Sequence, residues 1–357
     1  MAMKIEIVSR EIIKPSSPNS STPQKFQAFL YRPDCSSSLC IIKDRTTIEC
    51  NDNGAEYIQA RVDGTLADIL KPPNCSILRS FLPVEMESTD SETGRIVFVQ
   101  ASFFECGGMV LGLCFSHKIT DGTTLSTVVK SWSSIALSGS KDSVKFPEFN
   151  VASSIFHPLD SDIPPIMKVT RDESVITKRY VIESSKIAQL KAKAASPMVL
   201  QPTRTVPSLP GNAIGKAVGV FFPSHSTEKE IDLQDLVTKL SKGLKEFHKN
   251  AMETINQKKK AWLSMCGIEN FGVRDNIDHY MCSSLCRFGF YEADFGWGKP
   301  AWATVPNWMV LNFVVLMDTK DGEGVEVFVT LKKEEMTLFE LEKELLEFAA
   351  VNPSVLN

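Results

Sequence analysis

The stretch that decides the fold is Cys106-Gly107-Gly108-Met109-Val110-Leu111-Gly112-Leu113-Cys114-Phe115-Ser116-His117-Lys118-Ile119-Thr120-Asp121-Gly122. Its glycines join two predicted strands, Arg95–Phe104 and Met109–Phe115. The second strand is apolar on both faces, so we expect it to be central and buried in its sheet. A helix is predicted next, over Thr123–Ala136, because apolar residues return at helical spacing. Its apolar face is formed by Leu125, Val128, Val129, Trp132 and Ile135.

Strand patterns occur on both sides of this stretch. Alternating residues predict a first strand over Lys4–Ile13. Thr46–Cys50 and Glu56–Val62 are predicted to pair as a hairpin, because Asn51-Asp52-Asn53-Gly54 between them is a strong turn signal. A second hairpin is predicted from Met309–Met317 and Val325–Leu331, across Asp321-Gly322-Glu323-Gly324.

Several helices have recognisable starts. Asp232 is predicted to cap a long amphipathic helix. Thr337 and Glu340 have the spacing of a capping box before the last helix. Between these regions, Lys178–Glu183 reads as a strand and Ser184–Ala195 as a short helix. The elements alternate without the regularity of βαβ units, so we predict mixed α/β layers in two halves.

The chain length supports a division into two domains. A chain of 357 residues exceeds a single core of typical size. Ser138–Pro165 lacks periodicity and is rich in Ser, Asp and Pro, as expected of an interdomain crossover. We therefore predict domains over residues 1–165 and 166–357.

Composition excludes several classes of partner. Hydrophobic residues make up 43% and charged residues 23%, and the net charge is −4. Nucleic acids and anionic membranes require a basic face, so neither is expected as a partner. The apolar runs Met109–Phe115 and Val310–Met317 are too short to cross a bilayer, and the start of the chain lacks the pattern of a signal peptide. These features predict a cytoplasmic protein.

The nine cysteines do not form a recognisable metal pattern. The nearest approach to one is His279, Cys282 and Cys286, which lacks the close pairs and the fourth ligand of a zinc site. We expect no metal and reduced, half-buried thiols. A zinc protein remains the alternative if a fourth ligand converges on these three residues.

His117 is the strongest candidate for chemistry. A buried strand ends just before it and a helix begins soon after Asp121, and such strand ends are where scaffolds place functional groups. An imidazole has an ordinary pKa of about 6.5, so a neutral base is available at pH 7. The Asp121 carboxylate is expected to hold the loop, and Gly122 to supply a tight bend. A His-x-x-x-Asp pattern is common by chance, so the pattern alone does not separate a catalytic from a structural histidine.

A second candidate segment is Asp294-Phe295-Gly296-Trp297-Gly298. Two glycines around a tryptophan predict unusual dihedral angles and close backbone approach, with the indole N–H available as a donor. The alternative is an aromatic turn that packs under a sheet.

The two motifs in this order resemble those of the BAHD acyltransferases. The similarity extends over most of the chain and includes Thr47–Tyr57 and Pro210–Gly215. Among the family it is nearest to the alkaloid acetyltransferases. The resemblance implies an α/β, two-domain fold of the chloramphenicol-acetyltransferase type, with mixed sheets and a channel between the domains.

The resemblance also implies a mechanism. His117 would be the general base that deprotonates an alcohol or amine acceptor as it attacks an acyl-CoA, with acetyl-CoA the expected donor. Trp297 N–H is a candidate donor to the oxyanion. The remaining motif residues would shape the site, with Asp121 paired to an arginine; they are Gly122, Asp294, Phe295, Gly296 and Gly298. The family works as monomers without a permanently bound cofactor.

The chain departs from the family pattern at two places. A strand, a long helix and the segment after it are missing between Tyr31-Arg32-Pro33 and Lys43-Asp44. A second segment is missing between Gln201-Pro-Thr-Arg204 and Val206-Pro-Ser-Leu-Pro210, and it normally carries the arginine partner of Asp121. The first loss is expected to leave apolar surface uncovered. The alternative to an active enzyme is therefore a catalytically impaired relative that acts as a binding protein.

Overall fold

Mixed β-sheets and the helices that pack on them make up the fold in a computed structural model. The residues it describes are 3–14, 24–27, 40–42, 47–50, 54–85, 94–116, 120–140, 144, 172–194, 232–256 and 280–356. In chain order the strands are β1 Ile5–Ile13, β2 Gln24–Gln27, β3 Cys40–Ile42, β4 Thr47–Cys50, β5 Ala55–Val62, β6 Gly94–Arg95, β7 Val97–Phe104, β8 Met109–Phe115, β9 Val175–Ile182, β10 Met281–Ser284, β11 Phe313–Asp318, β12 Val325–Lys332 and β13 Ala350–Val351. The α-helices are α1 Ala67–Leu70, α2 Gly122–Ser138, α3 Ser184–Lys193, α4 Leu233–Asn256, α5 Lys333–Phe339 and α6 Lys343–Phe348. Two 3₁₀ helices cover Cys75–Phe81 and Phe290–Glu292.

The described strands form three sheets. The orders are β1-β5-β7-β8, β2-β4-β3-β6 and β10-β11-β12-β9-β13. In the first sheet β5 and β7 are parallel while the outer pairs are antiparallel. In the third, β10 and β11 are parallel and the other pairs antiparallel. The prediction of mixed sheets is therefore confirmed.

The predicted hairpin between residues 46–50 and 56–62 is wrong. β4 pairs with β2 and β3, whereas β5 pairs with β1 and β7 in a different sheet. Both edges of β5 are already hydrogen-bonded, so β4 cannot join it. Gly54 has a φ of 83°, and a Cβ there would lie 2.4 Å from the Ile13 carbonyl oxygen. Gly54 is therefore required because β5 approaches β1 closely at this position.

β8 does not occupy the central position predicted for it. It is the last strand in the order of the first sheet among the described residues. Its burial comes from a sheet face, because the 3₁₀ helix Cys75–Phe81 packs there. A Cβ at Gly112 would lie only 1.9 Å from the Phe81 carbonyl oxygen, so only glycine permits this contact.

The remaining strand predictions agree with the structure apart from some ends. β1 and β9 form as expected, and β11 pairs with β12 across the predicted turn. β11 begins at Phe313, later than predicted. Met309 and Asn312 have φ angles of 48° and 55°, which lie in the left-handed region and keep the residues before Phe313 out of the strand.

Three helix predictions agree and one is wrong. The predicted short helix over Ser184–Ala195 forms as α3, Ser184–Lys193. α2 forms over and slightly beyond the predicted range, and α4 begins after Asp232, whose carboxylate accepts a hydrogen bond from Asp235 N. The capping box at Thr337 does not form, because Thr337 lies inside α5. Its hydroxyl donates to the Lys333 carbonyl at 2.9 Å. A hydroxyl within a helix can bond back to the preceding turn, so the spacing alone did not locate a helix start.

The 3₁₀ helix Cys75–Phe81 connects the first sheet to the third. Phe81 belongs to a cluster with Val62 and Phe104 of the first sheet. Cys75 and Leu78 belong to a cluster from the third sheet and the chain before it, which contains Val305, Val315, Met317 and Phe328. Arg79 Nη1 donates to the Asn307 carbonyl at 3.1 Å. This short helix therefore contributes side chains to a hydrophobic cluster of the first sheet and to a hydrophobic cluster of the third sheet.

β1 exposes an unusual number of apolar side chains. Ile7, Val8, Ile12 and Ile13 are each between 42% and 56% exposed. Exposed strands normally carry polar residues on their open faces. The expectation that the loss of a segment after Tyr31-Arg32-Pro33 leaves apolar surface uncovered remains a prediction.

The boundary predicted at residues 165 and 166 lies outside the described residues, so the domain limits remain a prediction. Among the helices of the described residues, none combines the length and the apolar character that a bilayer crossing requires.

Candidate functional site

The loop after β8 is anchored at both of its described ends. Ser116 N donates to the Ile96 carbonyl at 2.9 Å, and Thr120 N donates to the Ser116 carbonyl at 3.2 Å. Thr120 is buried. His117, Lys118 and Ile119, between these anchors, lie outside the described residues. The general-base assignment of His117 therefore remains a prediction.

Asp121 is the N-cap of α2. Its Oδ1 accepts a hydrogen bond from Thr124 N at 2.8 Å, and its φ of −107° is extended, as expected of a residue that precedes a helix. Its carbonyl accepts from Leu125 N at 2.9 Å. The carboxylate thus fixes the junction of loop and helix. Arg204, the local substitute for an arginine partner, lies outside the described residues.

Gly122 permits close packing. It is the first residue of α2, and its φ is not in the left-handed region. A Cβ at this position would lie 3.0 Å from Phe288 Cζ and 3.1 Å from Leu285 Cδ2. The bend that we expected at Gly122 is therefore the ordinary start of a helix, and the absence of a side chain serves a contact with the C-terminal half.

Asp294 organises the second motif. Its Oδ1 accepts hydrogen bonds from Gly296 N at 2.8 Å and from Gly298 N at 3.0 Å. Both glycines have a φ of 102°. A Cβ on either glycine would meet no atom within 4 Å, so backbone conformation rather than close approach requires glycine here. One carboxylate and two glycines together define this turn.

Aromatic side chains connect the second motif to α2. The Phe295 ring stacks on the Trp297 ring, with 5.5 Å between the ring centroids. The Phe295 ring also meets the Trp132 ring edge-on, with 4.9 Å between the centroids. Trp297 is 68% exposed and Trp132 38% exposed. The motif therefore packs against a helix, rather than under a sheet as the structural alternative supposed.

Helix α2 brings the two motifs into one unit but keeps them at different places along it. Asp121 lies at its start, and Trp132 lies near its middle. A rise of 1.5 Å per residue separates Gly122 from Trp132 by about 15 Å. The described residues thus place the Phe295 ring beside Trp132 in the later turns of α2, whereas Asp121 lies at the start of that helix.

The sequence did not indicate that Phe288 contacts α2. The Ser126 hydroxyl donates to the Phe288 carbonyl at 2.6 Å, and Phe288 also packs on Gly122. Gly289, beside Phe288, has a φ of 67°. Gly289 is the local feature that could have indicated a turn here, but nothing near it in the sequence indicates a partner more than 150 residues away.

The metal alternative gains no support from the described residues. In that part of the chain no group of three or more His, Cys, Asp or Glu side chains is arranged to hold a metal ion. Partial burial raises the pKa of Cys286, which favours a neutral thiol over a thiolate ligand. His279 lies outside the described residues.

Comparison with known proteins gives consistent matches. The model of the Transferase family matches residues 38–211 and 202–346. Acyltransferase Pun1 of Capsicum frutescens is 32% identical over 359 aligned positions, covering 87% of this chain and 79% of that protein. Epi-neemfruitin B 7-O-acetyltransferase of Melia azedarach is 30% identical over 366 positions, covering 88% of this chain and 80% of that protein. Among solved structures, vinorine synthase superposes with a TM-score of 0.78 at 24% identity, covering 99% of this chain and 100% of the other.

The alignments also bear on the missing segments. The Capsicum frutescens protein aligns over 359 positions although only 87% of the 357 residues here take part. That relative therefore has internal residues without a counterpart in this chain. The two matches to the family model overlap at residues 202–211. The second missing segment was expected at this position in the chain.

Proposed function

This chain belongs to the Transferase family, as one of the BAHD acyltransferases, and from that membership we propose that it transfers an acetyl group from acetyl-CoA to a hydroxyl of a plant specialised metabolite such as an alkaloid. Members of the family are acyltransferases that use an acyl-CoA as co-substrate. The acetyl group is supported by the relative named as a 7-O-acetyltransferase. We propose further that the protein acts as a cytoplasmic monomer on an alcohol or amine acceptor.

One observation supports the assignment: the described residues on both sides of His117 are held by hydrogen bonds, and Asp121 caps the helix that follows. A general base must stay within hydrogen-bond reach of its proton, so fixed flanking residues suit that role. In the proposed step His117 takes the proton of the acceptor hydroxyl as the oxygen attacks the thioester carbonyl. The tetrahedral intermediate then expels the CoA thiolate, which receives the proton.

The other motif residues are assigned positioning roles. Asp121 caps α2 and keeps the end of the loop in place. Asp294, Gly296 and Gly298 form the second turn, and Phe295 attaches that turn to α2 through Trp132. Trp297 is retained as the candidate donor to the oxyanion, with an effect limited by its exposure.

A direct test is acetyl transfer from acetyl-CoA to a panel of alkaloid and phenolic alcohols, with His117→Ala as the comparison. Removal of a general base lowers the rate about 10²- to 10⁴-fold, so we expect near-complete loss in the variant. Thermal unfolding of both proteins controls for folding. Transfer at the wild-type rate by a folded His117→Ala variant would contradict the assignment.

A second candidate function is a non-catalytic, CoA-binding relative. Two observations favour it: the relative's internal residues without a counterpart here, and the exposed apolar side chains of β1. Calorimetric titration with CoA separates the two functions. A folded protein that binds CoA and transfers no acyl group to any acceptor in the panel supports the second function.

A further inference from the structure

The first two turns of α2 pack against Phe288 and Leu285 of the C-terminal half, and Phe288 makes the closer contact. Its ring faces Gly122, where a Cβ would lie 3.0 Å from Phe288 Cζ. Its carbonyl accepts the hydroxyl of Ser126, a side chain that is only 6% exposed, at 2.6 Å. Phe288 therefore contacts the helix through both its side chain and its backbone.

The segment around Phe288 is itself fixed to the third sheet. Leu285 N donates to the Leu316 carbonyl at 2.7 Å, and Arg287 N donates to Asp318 Oδ2 at 2.6 Å. Arg287 and Gly289, on either side of Phe288, both have left-handed φ angles, of 66° and 67°. Glycine adopts this conformation freely, whereas for Arg287 it is strained and persists only where the surroundings hold it, so the hydrogen bonds of Leu285 and Arg287 fix the segment that carries Phe288.

The position of the first turn of α2 is transmitted to the preceding loop. Asp121 belongs to that turn through its bond to Thr124 N. Thr120, next to it, closes the loop by donating to the Ser116 carbonyl. A shift of the first turn must therefore move one end of the loop that contains His117.

We propose that Phe288 is a positioning residue for acyl transfer: it sets the start of α2 by packing on Gly122 and by accepting the Ser126 hydroxyl, and thereby sets Thr120 and Asp121, the described residues that follow the base. The inference rests on the proposed function. It assigns the C-terminal half a part in placing a base that the N-terminal half carries.

The test is a cycle of three variants: Gly122→Ala, Phe288→Leu, and the two combined. The new methyl group in Gly122→Ala presses on the Phe288 ring and on Leu285, and a leucine in place of Phe288 relieves the first of these contacts. We expect kcat to fall by up to about 10-fold in Gly122→Ala, since the methyl group displaces its neighbours by a few tenths of an ångström and a 1 Å misplacement can cost about 10²-fold. The double variant should recover most of the loss, with KM for acetyl-CoA little changed throughout.

Gly139→Ala is the matched control. Gly139 ends the same helix with a φ of 66°, and a Cβ there meets no atom within 4 Å. Alanine strains this end without touching Phe288, so it destabilises α2 without moving the loop. An equal loss of kcat in Gly139→Ala and Gly122→Ala would overturn the proposal, and so would strict additivity in the cycle.

A readout that does not need activity separates this inference from the proposed function. The protein has five histidines, so the His117 imidazole signal can be identified by NMR from its disappearance in His117→Asn. We expect its titration midpoint to change in Gly122→Ala, to return in the double variant and to stay unchanged in Gly139→Ala. That pattern in a protein without acyl transfer would uphold the positioning role and reject the enzymatic function. An unchanged midpoint in all variants would reject the positioning role.

A second pair of variants covers the case in which Gly122→Ala does not fold. Ser126→Ala removes the donor to the Phe288 carbonyl, whereas Ser134→Ala changes an exposed serine two turns later on the same helix. We expect the His117 midpoint and kcat to change in the first variant only. Equal behaviour of the two variants counts against the proposal.

Discussion

At the scale of single residues, the cysteines show how burial controls reactivity. Burial raises the pKa of Cys75 and of Cys114 to about 11. Cys106 is exposed, and hydrogen bonds from the backbone N–H groups of Leu66 and Gly108 lower the pKa of its thiol. The thiolate is the reactive form, so these three thiols should differ strongly in reactivity.

We predict that iodoacetamide modifies Cys106 well before Cys75 or Cys114 between pH 7 and 9. A lowered pKa leaves a larger thiolate fraction at any pH in that window, and a raised pKa leaves almost none. Mass spectrometry of tryptic peptides after timed alkylation measures all three sites in one sample. Denatured protein is the control and should lose the difference. Faster modification of Cys75 than of Cys106 in the native protein would contradict the structure.

Trp297 gives a second prediction at this scale. Its indole N–H is in a side chain that is 68% exposed, and a donor in contact with water stabilises a developing charge far less than one in a dry site. We therefore expect Trp297→Phe to lower kcat less than about 10-fold, against about 10²-fold or more for a donor in an oxyanion hole. Steady-state kinetics with acetyl-CoA measure the effect, with Trp132→Phe as the control. A loss of 10²-fold or more restricted to Trp297→Phe would establish it as the donor.

At the scale of elements, the start of α2 depends on its cap. Asp121→Ala should destabilise the protein by about 1 kcal/mol, because Thr124 N loses its acceptor, while Asp121→Asn should retain most of the stability. Urea unfolding of the two variants gives the comparison. Since both substitutions remove the charge, equal losses would show that the carboxylate acts through its charge instead of through the cap.

The third sheet contains a buried ion pair between adjacent strands. Arg179 of β9 and Glu326 of β12 are each 4% exposed, and they share two hydrogen bonds, at 2.7 and 3.0 Å. Trp302 also donates to Glu326, at 3.0 Å. Such a pair is costly to break from one side, because the partner charge stays buried.

We predict that Glu326→Gln destabilises the protein by about 3 kcal/mol. Glu344→Gln is the matched control, because its partner Lys193 forms an exposed pair, and its loss should be below about 1 kcal/mol. Chemical unfolding of both variants gives the free-energy differences. Losses of similar size in the two variants would show that the buried pair adds nothing beyond a surface pair.

At the scale of the whole molecule, the 3₁₀ helix Cys75–Phe81 joins two cores. Leu78 is 9% exposed and packs with residues that follow it by more than 200 positions. We predict that Leu78→Ala destabilises the protein by about 2–4 kcal/mol and that the wild type unfolds in one cooperative transition. Differential scanning calorimetry measures both. Two separate transitions in the wild type would show that the halves fold independently of this contact.

The sequence by itself determined the features that local energetics control. Strand and helix periods, the cap at Asp232, and the turn glycines beside Asp294 depend on neighbours in the chain, and the order of the two motifs indicated the family. Tertiary structure alone decided that β4 and β5 enter different sheets, that β8 lies at an edge, and that Phe288 packs on Gly122. These contacts join surfaces far apart in sequence, and a local pattern states that a face is apolar without stating which other face will cover it.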